Sequence, residues 1–233
     1  MRNEPGQACE TDGMIDRASA SSTSEVSGGW ARVARVAVLL SGSGRTLENL
    51  LGAAHRGMLD CEFVAVVSSK PDVRGLAIAQ DAGIPAFVVQ RRDFLSDEAY
   101  TEEVESILAP FSPDLILLAG FLRKLVIGDK WAGRVLNIHP ALLPEMAAAA
   151  GKGFYGDKVH AEVLRRGAPE SGATVHVVDN GYDTGPVVDR VAVPVLEGDT
   201  VRSLADRVFA AECDLYPRAV NEYIRKHRDW LLV

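Results

Sequence analysis

Two groups of residues in this chain have types and spacings suited to chemistry. The first is Leu136-Asn-Ile-His-Pro140, where Asn137 and His139 stand two apart at the end of an apolar run. In a strand that spacing points both side chains to one face. A strand of Val, Leu and Ile has no packing reason to carry an amide and an imidazole there, because burying them costs free energy unless each is hydrogen-bonded. A structural reading and a catalytic reading of the pair both stand. Asp183, in Gly181-Tyr-Asp-Thr-Gly-Pro186, is a candidate third member, since a carboxylate beside a histidine favours the charged ring. Asp-x-Gly-Pro is equally common as a turn, so both readings stay open. The second group is Ser41-Gly-Ser-Gly-Arg-Thr46, a glycine turn between an apolar run and a helical pattern. Glycines let a backbone approach an anion closely, and a helix N-terminus offers unpaired N–H groups. A phosphate site and a ligand-free βα turn both fit these residues.

Several familiar schemes are excluded. A dinucleotide fingerprint needs glycine where Leu47 stands and an acid where Ser68-Ser-Lys70 stands. Gly44-Arg-Thr46 is not the Gly-Lys-Ser/Thr of a P-loop. Gly-x-Ser-x-Gly and HExxH are absent. His160 and His176 are too far apart for a local zinc motif and read as surface or supporting residues. The three cysteines, Cys9, Cys61 and Cys213, form no CxxC, which suits a reducing, cytoplasmic setting without a thiolate metal site.

The elements that must position these residues follow from periodicity. Short apolar runs at Val36–Leu40, Phe63–Val67, Ala86–Val89, Leu115–Ala119 and Val135–Ile138 read as strands. Helical patterns at Leu47–His55, Val73–Ala82 and Asp97–Leu108 separate most of them. Alternation of this kind predicts an α/β fold with an open, mainly parallel Rossmann-like sheet and helices on both faces. Pro140–Gly156 reads as a long loop, Lys158–Arg166 as a short helix, and Ala173–Val178 and Val187–Val193 as two strands. Val201–Arg225 reads as a C-terminal helix with Pro217 as its candidate break. Residues 1–32 read as a disordered tail: Met1–Trp30 carries two basic and five acidic residues and no sustained period. Residues 33–233 then form one domain.

Composition sets outer bounds. The 233 residues are 47% hydrophobic and 24% charged, enough for a substantial core. A net charge of −7 argues against sequence-independent nucleic-acid binding, and no apolar run is long enough to span a bilayer.

Taken with Ala119-Gly-Phe-Leu-Arg-Lys124, Gly151-Lys-Gly-Phe-Tyr-Gly156 and Gly172-Ala-Thr-Val-His176, the two groups above resemble the phosphoribosylglycinamide formyltransferase family in order and approximate spacing, from about Val33 to the C-terminus. The resemblance implies transfer of a formyl group from 10-formyltetrahydrofolate to the amine of 5-phosphoribosylglycinamide in purine biosynthesis, without a metal. It implies catalytic roles for Asn137, His139 and Asp183. It implies phosphate binding by Gly44, Arg45 and Thr46, with Gly42 and Ser43 shaping the turn. Leu122, Arg123, Lys124 and Leu125, with Asn137, would meet the folate. Glu212 would lie near the substrate's glycinamide or ribose, and Thr174 near the histidine. The expected partners are these two small molecules, with the protein a monomer or homodimer. A formyltetrahydrofolate hydrolase and a catalytically impaired ligand-binding relative are the alternatives.

Two departures from the family pattern stand out. Glu145-Met146 and Ala147–Ala150 replace an aromatic and small residues, so the loop after Pro144 is altered. Asp97 stands where some members carry arginine, which leaves Arg91 or Arg92 as the substitute cation for the cofactor's acidic tail.

Overall fold

The computed structural model describes residues 32–144 and 156–231. The expected tail, apart from Arg32, and the Ala147–Ala150 segment lie outside the described residues. One seven-stranded sheet organises the chain. Its strands are β1 (Ala34–Leu40), β2 (Cys61–Ser68), β3 (Ala86–Val88), β4 (Leu115–Leu118), β5 (Val135–His139), β6 (Glu170–Val177) and β7 (Val187–Pro194). Among the described residues five α-helices accompany them: α1 (Arg45–His55), α2 (Arg74–Asp81), α3 (Asp97–Leu108), α4 (Asp157–Arg165) and α5 (Val201–Lys226). The spatial order is β3-β2-β1-β4-β5-β6-β7. The first five strands run parallel, and β6 and β7 run antiparallel to their neighbours. The expected mainly parallel sheet with helices on both faces is what the chain forms.

The side-chain alternation of β1 sorts the two faces. Val36, Val38 and Leu40 pack with Leu47 and Leu50 of α1 and with Leu204, Val208 and Leu215 of α5. Ala37 and Leu39 pack on the other face with Tyr100, Val104 and Leu108 of α3. Helices cover both faces because these strands are apolar on both. From β1 the chain winds outward to β3, then returns to β4 on the far side of β1. That reversal leaves a crevice beyond the carboxyl ends of β1 and β4, where ligands bind in sheets of this kind.

The expected break at Pro217 does not occur: α5 runs unbroken through it. A proline inside a helix deprives the carbonyl four residues earlier of its donor. That carbonyl belongs to Cys213, and Asn49 of α1 donates its side-chain Nδ2–H to it at 2.8 Å. A neighbouring helix replaces the missing N–H, so the helix continues.

Candidate active site

The two sequence groups meet in one cleft of about 590 Å³. The glycine turn forms one flank. Gly44 caps α1 in the left-handed region at φ 72°, with no side-chain cap. A Cβ at Gly44 would lie 2.5 Å from the Gly75 Cα, so both conformation and space demand glycine. The first helical bond is Glu48 N–H to the Gly44 carbonyl, which leaves the preceding N–H groups of the first turn outside the helical ladder. Arg45 and Thr46 line the cleft, and Gly42, Ser43 and Gly44 form the turn behind them. The Arg45 guanidinium stacks over the Phe209 ring at 3.7 Å and lies 4.0 Å from Asp206.

Leu122, Arg123, Lys124 and Leu125 form another wall. The backbone N–H of Leu122 donates to Ser41 Oγ at 2.9 Å, and Ser41 Oγ lies 2.6 Å from Ser69 Oγ. Ser41 therefore ties this segment to the ends of β1 and β2.

Asn137, His139 and Asp183 converge at the centre. His139 Nδ1 lies 3.6 Å from one Asp183 carboxylate oxygen, and Asn137 Nδ2 lies 3.4 Å from the other. Asp183 is reached through the turn between β6 and β7, where its backbone adopts φ 54°. Asp179 holds that turn closed by accepting from the Gly181 N–H and the Thr184 hydroxyl. The Asn180 side chain fastens the turn to Ile127, accepting from its N–H at 2.8 Å and donating to its carbonyl at 3.1 Å. Thr174 pairs with His139 across β5 and β6. Its buried hydroxyl donates to the Ala141 carbonyl and accepts from the Leu143 N–H, which fixes the chain leaving His139.

His176 is the residue that the sequence reading underrated. Neither it nor His160 is at the surface: both are buried and line the cleft. His176 faces Asn137 in the β5–β6 register, with its Nε2 3.1 Å from Asn137 Nδ2 and 3.4 Å from Asp183. Its Nδ1 lies 3.0 Å from the Val177 carbonyl, which can only accept. The proton is therefore on Nδ1, and in the neutral ring Nε2 accepts an N–H of Asn137. The sequence signal was present, since His176 lies two residues after Thr174 on the same strand face.

Glu212, half-buried on α5, also lines the cleft. Burial pushes its carboxyl up to about 7, against the opposing pull of Arg45. Burial likewise pulls the His160 imidazole down. Asp97 accepts from Arg91 Nε at 2.6 Å, so the departure at position 97 is an ion pair rather than an isolated carboxylate. Among the described residues, no group of three or more His, Cys, Asp and Glu side chains is placed to hold a metal. No described helix is long and apolar enough to cross a membrane.

Comparison with known proteins agrees with this geometry. The formyl transferase family model matches residues 34–220. The trifunctional purine biosynthetic protein adenosine-3 of Drosophila melanogaster is 42% identical over 190 residues, covering 80% of this chain and 14% of the relative. The chain thus spans about one seventh of the length of that curated relative. The chloroplastic phosphoribosylglycinamide formyltransferase of Arabidopsis thaliana is 36% identical over 199 residues, 84% of this chain and 67% of the relative. Among solved structures, the phosphoribosylglycinamide formyltransferase of Brucella melitensis is 42% identical with a TM-score of 0.71, covering 82% of this chain and 96% of that one. Glycinamide ribonucleotide transformylase 1 of Symbiobacterium toebii is 34% identical with a TM-score of 0.75, covering 83% and 89%. The shared fold and sequence make this chain a member of the formyl transferase family, among the phosphoribosylglycinamide formyltransferases.

Proposed function

We propose that this protein transfers the formyl group of 10-formyltetrahydrofolate to the amine of 5-phosphoribosylglycinamide, a step of purine biosynthesis. The observation that carries this reading is the convergence of Asn137, His139 and Asp183 in the cleft that also receives the N-terminus of α1. The phosphate of the acceptor lies at that helix end, against the first-turn N–H groups and Arg45. Glu212 borders the ribose and glycinamide. The pterin lies against the backbone of Leu122–Leu125, because two leucines and two cations offer no acceptor side chain for its amino group.

The acceptor amine is itself the nucleophile, so the protein supplies none. Its nitrogen attacks the formyl carbon, and the carbonyl π electrons move to oxygen. One Asn137 N–H is held by His176, and the second, directed at Asp183 over a long 3.4 Å in the ligand-free cleft, turns to the developing oxyanion; such a donor is worth about 3–4 kcal/mol in favourable cases. Protonated His139 adds positive charge beside the same oxygen, balanced by Asp183. Asp183, through water, relays the proton lost by the amine toward the folate nitrogen. Collapse of the intermediate breaks the bond from carbon to that nitrogen, which leaves protonated as tetrahydrofolate.

The test is turnover of purified protein with both substrates, followed by the absorbance change of the folate product. Formyl transfer that requires the ribonucleotide supports the reading. Formate release without it identifies a hydrolase, and ribonucleotide binding without transfer identifies a binding protein.

A further inference from the structure

Helix α4 carries into the cleft a ring that the protein's own hydrogen bonds leave unexplained. Val159, His160 and Val163 are the buried stripe of that helix. Val163 packs in the core shared with Leu47 of α1 and with Leu204 and Leu215 of α5, so the stripe faces the same side of the sheet as those two helices. An apolar residue would suit position 160. An imidazole is there instead, 4% exposed and lining the cleft.

The protein does not provide for its nitrogens. His160 Nδ1 is sealed from solvent without a hydrogen-bond partner. Among the described residues Tyr100 Oη, Trp131 Nε1 and Ser171 Oγ share that condition, but none of those three residues lines the cleft. Burial opposes protonation of the ring, Asp157 favours it, and the nearby His139 opposes it again, with the balance downward, so the ring is neutral. A neutral imidazole has one donor and one acceptor nitrogen. A sealed N–H without a partner is rarer than a sealed acceptor without one, which puts the proton on Nε2. With Nδ1 enclosed, Nε2–H is the donor left to meet a bound molecule.

The side of the cleft decides which molecule. Arg45 of α1 and Glu212 of α5 line it on the side where α4 packs. A ribonucleotide with its phosphate at the N-terminus of α1 and its amine beside His139 passes along that side. Between ribose and amine it offers one hydrogen-bond acceptor, the carbonyl oxygen of the glycinamide.

We propose that His160 donates from Nε2 to the glycinamide carbonyl oxygen of the acceptor and so holds its amine toward the formyl carbon. This rests on the acceptor assignment above. A neutral donor suits the place, because it adds no second cation beside a protonated His139.

The test is calorimetric titration of the full chain with 5-phosphoribosylglycinamide and with its analogue carrying a thiocarbonyl in place of that carbonyl, sulfur being the weaker acceptor. Wild-type protein is expected to bind the carbonyl form about tenfold more tightly. His160→Phe is expected to bind the two equally, and His160→Gln, which offers an amide N–H, to regain part of the preference. Both variants should bind 10-formyltetrahydrofolate as wild type does. Equal binding of both acceptors by wild type, or full preference in His160→Phe, overturns the proposal alone. Equal loss of acceptor and donor binding in His160→Phe marks a structural ring and overturns the contact. Binding of neither acceptor by wild type overturns the proposal together with the acceptor assignment.

Discussion

Asn137 and His176 face each other across the antiparallel β5–β6 pair, amide nitrogen to imidazole Nε2 at 3.1 Å. Because His176 commits its Nδ1 proton to the Val177 carbonyl, it fixes which end of the Asn137 amide points toward Asp183. A free amide could turn its oxygen toward the substrate, where it would repel an oxyanion. His176→Phe keeps the bulk and removes the acceptor. Turnover is expected to fall on the order of 10- to 100-fold, with KM for both substrates nearly unchanged. His176→Gln, which restores an acceptor oxygen, should recover part of it. An unchanged turnover in His176→Phe would show that Asn137 needs no such alignment.

His139 and Asp183 act as a unit in the proposed transfer. His139→Ala and Asp183→Asn are each expected to lower turnover by roughly 10²- to 10⁴-fold. The double variant should be little worse than the slower single one, because residues working through one another are not additive. Stopped-flow rates with circular dichroism and urea midpoints would separate lost chemistry from lost fold. Multiplied losses in the double variant would mean that the two act independently.

Glu212 gives stability a pH dependence of definite sign. Its carboxyl titrates near 7 in the folded protein, above the ordinary 4.5. Between those values the folded chain holds a proton that the unfolded chain has released. The contribution of Glu212 to stability is therefore highest below that window and declines as pH rises through it. Glu212→Gln removes this decline. Urea midpoints at about pH 5 and about pH 8 should show wild type losing ground relative to the variant. Parallel changes in the two proteins would mean that Glu212 is solvated.

Pro217 and Asn49 are coupled through one carbonyl. Asn49→Ala leaves the Cys213 carbonyl without a donor and is expected to cost about 1–3 kcal/mol. Pro217→Ala restores a backbone N–H four residues on, so Asn49→Ala should cost much less in that background. A double-mutant cycle of denaturant midpoints measures the difference. Equal costs in both backgrounds would show that the Asn49 bond does not compensate for the proline.

Features that depend on neighbours along the chain were legible in the order of its residues. Alternation of apolar runs with helical periods fixed the strands and helices, and the glycine turn marked the entry to α1. The two-residue spacing of Asn137 and His139 put both on one strand face. Features that depend on pairing between distant segments emerged only with the folded chain. His176 joins the site only through the antiparallel register of β6 against β5: its spacing from Thr174 gives the strand face, and the register gives its partner. Pro217 passes unbroken because a residue 168 positions earlier supplies its missing bond. Local propensity cannot report such relations, since each is set by which surfaces the sheet brings into contact.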